Sequence, residues 1–429
     1  MMKYVLSKKQ FYRIAFGVFF CMVLLLARDT MITLTLLGFY LAQGIMIGLV
    51  CACGIAFLVY NRTNLKKIFS DYRIIIMGVF SVVILVPMLV KFDFQLMYCS
   101  VLFCIGFAVL LTYFIRMEEV GRYFVLLMTA LALYSLIGTY LLKGLVETGT
   151  LHAPRFVNSA GTSFWNLGLV YVVDQPQYYR NFGIFREPGV YQFFIMLALF
   201  LNNCIISWRP QVQWTCNGIL AVTMLSTFST NGVIELGLFA ILFFVDKECY
   251  KDKRARMVAI GLLSSIVVVL IPSFVKKDGI YRSIYSMVGK LFTLTHSSAA
   301  RIESVEANLA LFIRSPMVGC DLDTVFGAVK HNTTSSLLMF SIFGICGGLL
   351  SFVGWVAFVW NRKRHTLINI GYLIVFLMSF NTQNIIADIF FWLFPIMALV
   401  DRILPYLEKR KIKHGKQLGA FFKRSLKME

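Results

Sequence analysis

Residues 334–358 read TSSLLMFSIFGICGGLLSFVGWVAF, a stretch that contains no charged side chain. About 20 consecutive apolar residues can cross the hydrocarbon core of a bilayer as a helix. Similar stretches recur along the 429 residues, of which 59% are hydrophobic and only 14% are charged. One soluble core cannot bury so much apolar surface. The sequence therefore predicts an all-α, polytopic helical bundle in a membrane, formed as a single domain by residues 1–429.

The apolar stretches predict about twelve transmembrane helices. They cover residues 11–27, 31–60, 74–90, 94–115, 123–142, 189–206, 213–229, 232–245, 257–274, 334–358, 366–380 and 385–403. The second stretch is long enough for one tilted helix, or for a half-helix followed by a complete one. The first stretch lacks a small-residue cleavage site, so we expect an uncleaved first helix.

The basic residues of the short loops predict the orientation, because cytoplasmic loops of membrane proteins are enriched in Lys and Arg. With the N-terminus inside, most of the 41 basic residues are cytoplasmic. Both termini then lie in the cytoplasm, including a basic tail at 404–429, and two long loops at 143–188 and 275–333 lie outside. Most of the net charge of +20 follows from this enrichment of cytoplasmic loops in Lys and Arg. It is therefore not evidence for a nucleic acid partner.

The first external loop combines aromatic side chains with arginines. These are Trp165, Tyr178, Tyr179, Arg180 and Arg186. The planar guanidinium group of arginine binds phosphate at two points and stays charged at any relevant pH. The composition suits a site that stacks sugar rings and binds phosphate. An interfacial aromatic belt with snorkelling arginines is the alternative.

The second external loop predicts amphipathic helices, because apolar residues recur at helical spacing over 281–292 and 302–312. Arg301 lies near the start of the second helix, where a cation opposes the helix dipole but helps to bind an anion. His331 lies at the mouth of the following span. An imidazole there is suited to take a proton from a hydroxyl near neutral pH. A hydrogen-bonded boundary residue is the alternative.

Five short motifs follow one another on the predicted outer side. They are RNFGIFREPG at 180–189, STNG at 229–232, Arg301, SPMVG at 315–319, and His331-Asn332 ahead of FGICGG at 343–348. In this order they resemble the O-antigen polymerase and ligase superfamily of bacterial surface-polysaccharide assembly. The Glu-Pro-Gly sequence is typical of the polymerase branch. At Asn231 some relatives have a basic residue, so we expect no catalytic role for that turn.

The resemblance implies a membrane glycosyltransferase in the bacterial inner membrane, with its site on the periplasmic side. One polyprenyl-pyrophosphate-linked oligosaccharide is the donor, and the terminal sugar hydroxyl of another is the acceptor. No nucleotide sugar, metal or cofactor is expected. Membrane lipids and a chain-length regulator protein are the further partners that the resemblance implies.

The resemblance also assigns roles to individual residues. Arg180, Arg186 and Arg301 bind the pyrophosphate, and the latter two stabilise its charge as it leaves. His331 orients or deprotonates the acceptor hydroxyl. Glu187 either orients Arg186 through an ion pair, which we favour, or acts as the base. The sugar-binding candidates are Tyr178, Tyr179 and Trp165.

One motif argues for different chemistry. Asp321-Leu322-Asp323 spells the Asp-x-Asp sequence that binds a divalent ion with nucleotide sugars in many soluble glycosyltransferases. The predicted topology places it outside, where nucleotide sugars are not supplied. The ten cysteines show neither metal-ligand spacing nor a disulfide framework. We therefore expect no metal site.

Two other functions compete with the polymerase. A ligase would transfer finished lipid-linked glycan to an outer-core lipid or a protein by similar chemistry. A flippase or another transporter would fit the number of spans, but the two halves show no internal repeat and intramembrane charges are sparse. The main ones are Glu235 and Asp388. We interpret Glu235 as a hydrogen-bonded interior carboxylate.

Overall fold

The structure is a computed structural model that describes residues 8–36, 38–60, 71–157, 162–175, 179–248, 296–329 and 332–403. Five sequence predictions fall outside these residues. They concern His331, Tyr178, the span 257–274, the helix 281–292 and the tail 404–429. The described chain is mostly helical, as the composition predicts.

The α-helices follow the predicted spans closely. In chain order they are α1 (Lys8–Leu25), α2 (Phe39–Tyr60), α3 (Tyr72–Val90), α4 (Leu96–Leu111), α5 (Met117–Ile137), α6 (Lys143–Glu147), α7 (Pro188–Phe200), α8 (Pro210–Ser226), α9 (Thr230–Asp246), α10 (His296–Arg314), α11 (Leu322–Ala328), α12 (Ser335–Val359), α13 (Thr366–Phe380) and α14 (389–403). Short π-helical segments lie at Ile32–Leu36, Gly138–Leu142 and Leu201–Ile205.

Within the described residues, four helical segments are long and apolar enough to cross a membrane. They are Tyr72–Val90, Met117–Glu147, Pro188–Ile205 and Ser335–Val359. Shorter apolar helices lie at Phe16–Leu25, Leu96–Leu111 and Thr366–Phe380. Only 17% of the apolar stretch of α3 is buried inside the protein, whereas 83% of the apolar stretch of Pro188–Ile205 is buried. This is therefore a helical membrane protein with α7 at its centre and α3 at its periphery.

The predicted span 31–60 is not one continuous helix. A π-helical segment at Ile32–Leu36 comes first, and α2 begins only at Phe39. Between them Gly38 adopts a φ of +70°, a left-handed conformation that suits glycine. Of the two interpretations of this stretch, a short segment followed by a complete helix is the one that the structure shows.

The loop at 143–188 contains a small β-sheet, which the all-α prediction does not include. Its antiparallel strands β1 (Arg155–Val157), β2 (Ser163–Asn166) and β3 (Tyr171–Val173) lie in that order. Three or four residues a strand are too few for an alternating pattern to stand out in the sequence. The backbone N–H of Tyr171 donates to the carbonyl of Gly183 at 3.1 Å, so the sheet is fixed to the segment that precedes α7.

Two of the five motifs pack against each other at a pair of glycines. A Cβ on Gly319 would lie 2.3 Å from the carbonyl oxygen of Ile342, and one on Gly344 would lie 2.3 Å from that of Met317. Both glycines have positive φ, +73° and +66°, and α12 is kinked at Gly344. The Nζ of Lys91 donates to the carbonyls of Cys320 and Ile342, each at 2.7 Å, and so joins the two segments at this contact.

Candidate functional site

The segment 180–187 is bound to the ends of two helices before α7 begins. The backbone N–H of Asn181 donates to the carbonyl of Ser226, the last residue of α8, at 3.0 Å. The backbone N–H of Arg186 donates to the carbonyl of Asp29, beyond the end of α1, at 3.1 Å. The side chains of this segment therefore lie at the end of the bundle where α1 and α8 finish and α7 starts.

Asn181 fixes the turn that carries Arg180. Its Oδ1 accepts the backbone N–H of Gly183 at 2.9 Å, and its Nδ2 donates to the hydroxyls of Ser135 and Ser226 at 2.9 and 3.0 Å. Gly183 has a φ of +57°, and a Cβ there would lie 2.7 Å from the ring of Tyr191. These contacts explain the Asn and Gly of the RNFG sequence as structural residues.

Arg186 forms an ion pair with Asp29. The distance from Nε to Oδ1 is 2.8 Å, and the side chain of Asp29 is 6% exposed while that of Arg186 is 31% exposed. The carboxylate of Asp29 raises the pKa of Arg186 above its usual value. Asp29 thus holds the guanidinium group on its buried side, and the opposite side of the group is exposed.

The predicted ion pair between Glu187 and Arg186 is wrong, since Asp29 occupies that position. Glu187 has extended backbone angles, φ −147° and ψ 150°. Successive side chains of an extended chain point to opposite sides, so neighbours in sequence do not meet. Glu187 instead accepts a hydrogen bond from Nε2 of Gln383 at 2.8 Å.

The loop after α13 completes this part of the site. The carbonyl of Gln383 accepts a hydrogen bond from the hydroxyl of Ser335, the first residue of α12. A Cβ on Gly189 would lie 2.6 Å from Nε2 of Gln383, so glycine at that position lets this loop reach Glu187. The glycine of the Glu-Pro-Gly sequence therefore has a local packing reason.

Arg180 lies on the same side of the bundle. Its Nε donates to the carbonyl of Thr227 at 3.1 Å, just beyond the end of α8. Within the described ranges it forms no ion pair, and its side chain is partly exposed. The hydrogen bond from Nε therefore fixes the side chain of Arg180, and the rest of its guanidinium group can bind an anion.

Arg301 belongs to the same charged group although it comes from α10. The charges that act on it are those of Glu235, Glu187 and Arg180. Burial is the largest effect and lowers the pKa of Arg301 below its usual value, while the two carboxylates act in the opposite direction. No ion pair to Arg301 occurs among the residues that the structure describes. Arg301 and Arg180, from two distant parts of the chain, are thus close enough for their charges to act on each other, and Glu187 beside Arg186 acts on Arg301 as well.

One face of α10 fixes Arg301 to the segment that follows His331. Ser304 and Asn308 lie three and seven residues after Arg301, on the same helical face. Oδ1 of Asn332 accepts hydrogen bonds from the Ser304 hydroxyl at 3.1 Å and from Nδ2 of Asn308 at 2.9 Å. The residue next to His331 in sequence is therefore held one turn of helix from Arg301.

Glu235 is the hydrogen-bonded interior carboxylate that the sequence predicts, and its charge also acts on Arg301. Its side chain is fully buried in α9, and Oε1 accepts a hydrogen bond from Nε2 of Gln192 at 2.9 Å and another from Nδ2 of Asn231. The signal that identifies it is the spacing of Asn231 and Glu235, which share one helical face at the start of a span. The turn at Asn231 thus orients a carboxylate.

The aromatic candidates separate into two groups. Trp165 is 5% exposed and packs with Leu167 and Val172 in the core of the sheet, so its predicted sugar-binding role is wrong. Tyr179 is partly exposed and stacks on Tyr140, with ring centroids 6.3 Å apart and planes within 4°. Tyr179 therefore remains a candidate for sugar stacking.

Asp321 and Asp323 have structural partners. Asp321 is the N-cap of α11, where its Oδ1 accepts the backbone N–H of Thr324 at 2.8 Å and its Oδ2 accepts the Thr324 hydroxyl at 2.8 Å. Asp323 accepts a hydrogen bond from Nε2 of Gln95 at 2.8 Å. Among the described residues no group of three or more His, Cys, Asp or Glu side chains is placed to hold a metal ion.

No family model matches this chain, and no curated protein or solved structure matches it either. The chemistry of the site therefore has to be inferred from its own geometry. Three guanidinium groups lie at one end of a helical bundle, and two of them form no ion pair within the described ranges. An arrangement of this kind is suited to bind a strongly anionic group such as a diphosphate.

Proposed function

We propose that this protein is a surface-polysaccharide polymerase of the bacterial inner membrane. It transfers a glycan from a polyprenyl-pyrophosphate donor to the terminal sugar hydroxyl of a second lipid-linked oligosaccharide. The observation that carries the proposal is the convergence of Arg180, Arg186 and Arg301 at one end of an apolar bundle. A lipid-linked diphosphate is one anion that a membrane-embedded protein meets at such a position.

The charges of the site suit the departure of a diphosphate. In the proposed reaction the acceptor oxygen forms a bond to the anomeric carbon of the donor sugar, and the bond from that carbon to the diphosphate oxygen breaks. Negative charge develops on the leaving diphosphate, and fixed guanidinium groups stabilise it without having to reorganise. The products are the lengthened glycan on its lipid carrier and a free polyprenyl diphosphate.

The acceptor hydroxyl must also lose its proton. His331 is the residue that we assign to orient or deprotonate it, and Asn332 beside it is bound to the helix of Arg301. Glu187 is the alternative base. Its Oε2 accepts a hydrogen bond from Gln383, its Oε1 accepts none from the described residues, and its charge acts on both Arg186 and Arg301.

The proposed topology has about twelve spans, both termini in the cytoplasm and the site in the periplasm. The helix ends support this arrangement. α9 begins beside the arginines at Thr230, and its far end carries Asp246. Asp246 pairs with Arg364 at 3.0 Å in the short basic segment before α13, which the distribution of Lys and Arg predicts to be cytoplasmic.

Complementation of a deletion strain tests the function. We expect wild-type protein to restore a ladder of long surface glycan, and Arg186→Ala, Arg301→Ala and His331→Ala to leave single repeats at unchanged protein levels. Arg155→Ala is the matched control, because the side chain of Arg155 is 64% exposed and pairs with Asp174 at the sheet. Normal chain lengths in all three site variants would reject the proposal. Long lipid-linked polymer that stays unattached in the deletion strain would identify a ligase.

A further inference from the structure

A groove in the wall of the bundle begins at the two segments that hold Arg186. Its rim is formed by Arg28, in the segment after α1, and by Ala387, in the loop after α13. The same two segments bind Arg186. Asp29 pairs with its Nε at 2.8 Å, and its Nη2 donates to the carbonyl of Asn384 at 3.5 Å. The groove therefore adjoins the arginine site.

The groove continues from this rim between α2 and α4. Met46 and Ile47 line it on α2, and Leu96 and Phe103 line it on α4. From Leu96 to Phe103 the helix rises by about 10 Å, because each residue adds about 1.5 Å. Leu96 is 42% exposed, and Cys99, which also lines the groove, is exposed. The groove is therefore open sideways, on a surface that the bilayer surrounds in the predicted topology.

The uncharged polar side chains that line the groove offer little to a polar ligand. Nε2 of Gln43 donates to the hydroxyl of Ser100 at 3.2 Å, and Oε1 of Gln43 is buried. The hydroxyl of Thr33 donates to the carbonyl of Thr30 at 2.8 Å. The accessible walls are therefore almost entirely apolar, with the cation of Arg28 at the rim. Walls of this kind, with a charged group at one end, suit a ligand that has an anionic head and a hydrocarbon chain.

We propose that this groove binds the isoprenoid chain of a lipid-linked diphosphate, next to the diphosphate. The inference rests on the proposed function, which places the diphosphate at Arg186 and hence its chain at the adjoining groove. With a volume of about 60 Å³ the groove has room for about five groups the size of a water molecule, comparable to one branched isoprene unit. It therefore recognises the start of the chain, and the rest of the chain lies among the membrane lipids.

Native cysteines test occupation of the groove without any enzymatic activity. Cys99 lines the groove and Cys51 of α2 does not, although both are exposed. N-ethylmaleimide labels exposed thiols, and peptide mass spectrometry of the purified protein in detergent gives the labelling rate at each cysteine. At about ten times its dissociation constant, farnesyl diphosphate should slow the labelling of Cys99 by about tenfold and leave that of Cys51 unchanged. An unchanged rate at Cys99 would overturn the proposal.

Three further probes make the protection of Cys99 specific. Inorganic pyrophosphate lacks the chain, farnesol lacks the charge, and phosphatidylglycerol is an anionic lipid with acyl chains in place of isoprene units. We expect each of them to protect Cys99 less than farnesyl diphosphate does. Equal protection by any of the three would contradict the inference. Equal slowing at Cys51 would show a general effect on the detergent micelle and would contradict it too.

A side chain that fills the groove should weaken binding of the lipid-linked substrate. Cys99→Trp places an indole ring there, and Cys51→Trp is the matched control at an exposed position outside the groove. We expect Cys99→Trp to raise KM by about tenfold with kcat nearly unchanged, because the groove holds the chain equally in the ground state and the transition state. An unchanged KM, or an equal rise in KM for Cys51→Trp, would contradict the inference.

The two proposals can fail separately. If farnesyl diphosphate protects Cys99 while wild-type protein polymerises no glycan, the proposed function fails and the site for a lipid-linked diphosphate stands. If wild-type protein polymerises glycan while Cys99 is labelled at the same rate with and without farnesyl diphosphate, the groove has no such role and the proposed function stands.

Discussion

The carboxylate of Asp29 lies 2.8 Å from Nε of Arg186 and joins the end of α1 to the start of α7. Neither the Asp-Thr sequence after the first span nor the RNFGIFREPG motif indicates this pair. Because Asp29 is nearly buried, it holds the guanidinium group against the bundle and leaves the outer side open. The structure thus supplies a fixed cation at the point where we place the leaving diphosphate.

Replacement of Asp29 by Asn should impair catalysis without removing Arg186. The amide keeps the size of the side chain but loses the charge that orients the guanidinium group. A misplacement of about 1 Å in a catalytic group costs on the order of 100-fold in rate. We expect a loss of this size in polymerisation rate. Asp174→Asn, which breaks the pair with Arg155 on the sheet, is the control and should leave the rate unchanged.

Arg301 should be more sensitive to replacement than its position on a helix of the predicted external loop suggests. Removal of one preorganised group that stabilises transition-state charge typically costs about 100- to 1000-fold in kcat. We expect Arg301→Ala to show this loss in a polymerisation assay. Arg301→Lys should recover only part of the rate, because an ammonium group lacks the planar fork that binds phosphate at two points. Full activity of the lysine variant would show that charge alone is sufficient.

Gly319 should not tolerate a side chain. A Cβ at this position would lie 2.3 Å from the carbonyl oxygen of Ile342, and the backbone φ of +73° disfavours other residues. We expect Gly319→Ala to lower the free energy of unfolding by about 1–3 kcal/mol or more. Gly327→Ala in α11 is the control, since a Cβ there meets no atom within 4 Å. Thermal unfolding in detergent compares the two variants. Equal melting temperatures would contradict the close contact between Gly319 and Ile342.

Asp321 should stabilise α11 and should have no connection with a metal ion. Hydrogen bonds from the Thr324 backbone lower the pKa of Asp321 below its usual value. Its contribution to stability is therefore present above the unfolded-state pKa and is lost as the pH falls through the lower folded-state value. We expect Asp321→Ala to cost about 1 kcal/mol near neutral pH. Loss of polymerisation on treatment with EDTA would instead assign the Asp-x-Asp sequence to metal binding.

The parts of the fold that depend on local pattern could be predicted from the sequence. The apolar stretches identify a helical membrane protein, and the helical spacing over 302–312 predicts α10, which the structure places at His296–Arg314. The strands of the first loop could not be predicted, because each is too short to show a period. They are held by pairing with each other and by the bond from Tyr171 to Gly183, which no local period indicates.

The partners of the charged residues were the least predictable part of the site. Residue type and loop position select Arg180, Arg186 and Arg301, since arginine outside the cytoplasm is unusual in a membrane protein. The pairing of Arg186 with Asp29 joins two distant segments, and no spacing in the sequence encodes it. Glu187 was the expected partner by proximity in sequence, yet its extended backbone turns it towards Gln383.

The unequal burial of α3 and α7 separates the site from the surrounding lipid. A bilayer that is too thin or too thick exerts its stress on peripheral helices, through tilt and local deformation. Only 17% of the apolar part of α3 is buried, so we expect that stress to act there, whereas Pro188–Ile205 is 83% buried and is surrounded by protein. Protein, and not lipid, therefore surrounds the helix that follows Arg186. We expect turnover in reconstituted vesicles to vary little with acyl-chain length.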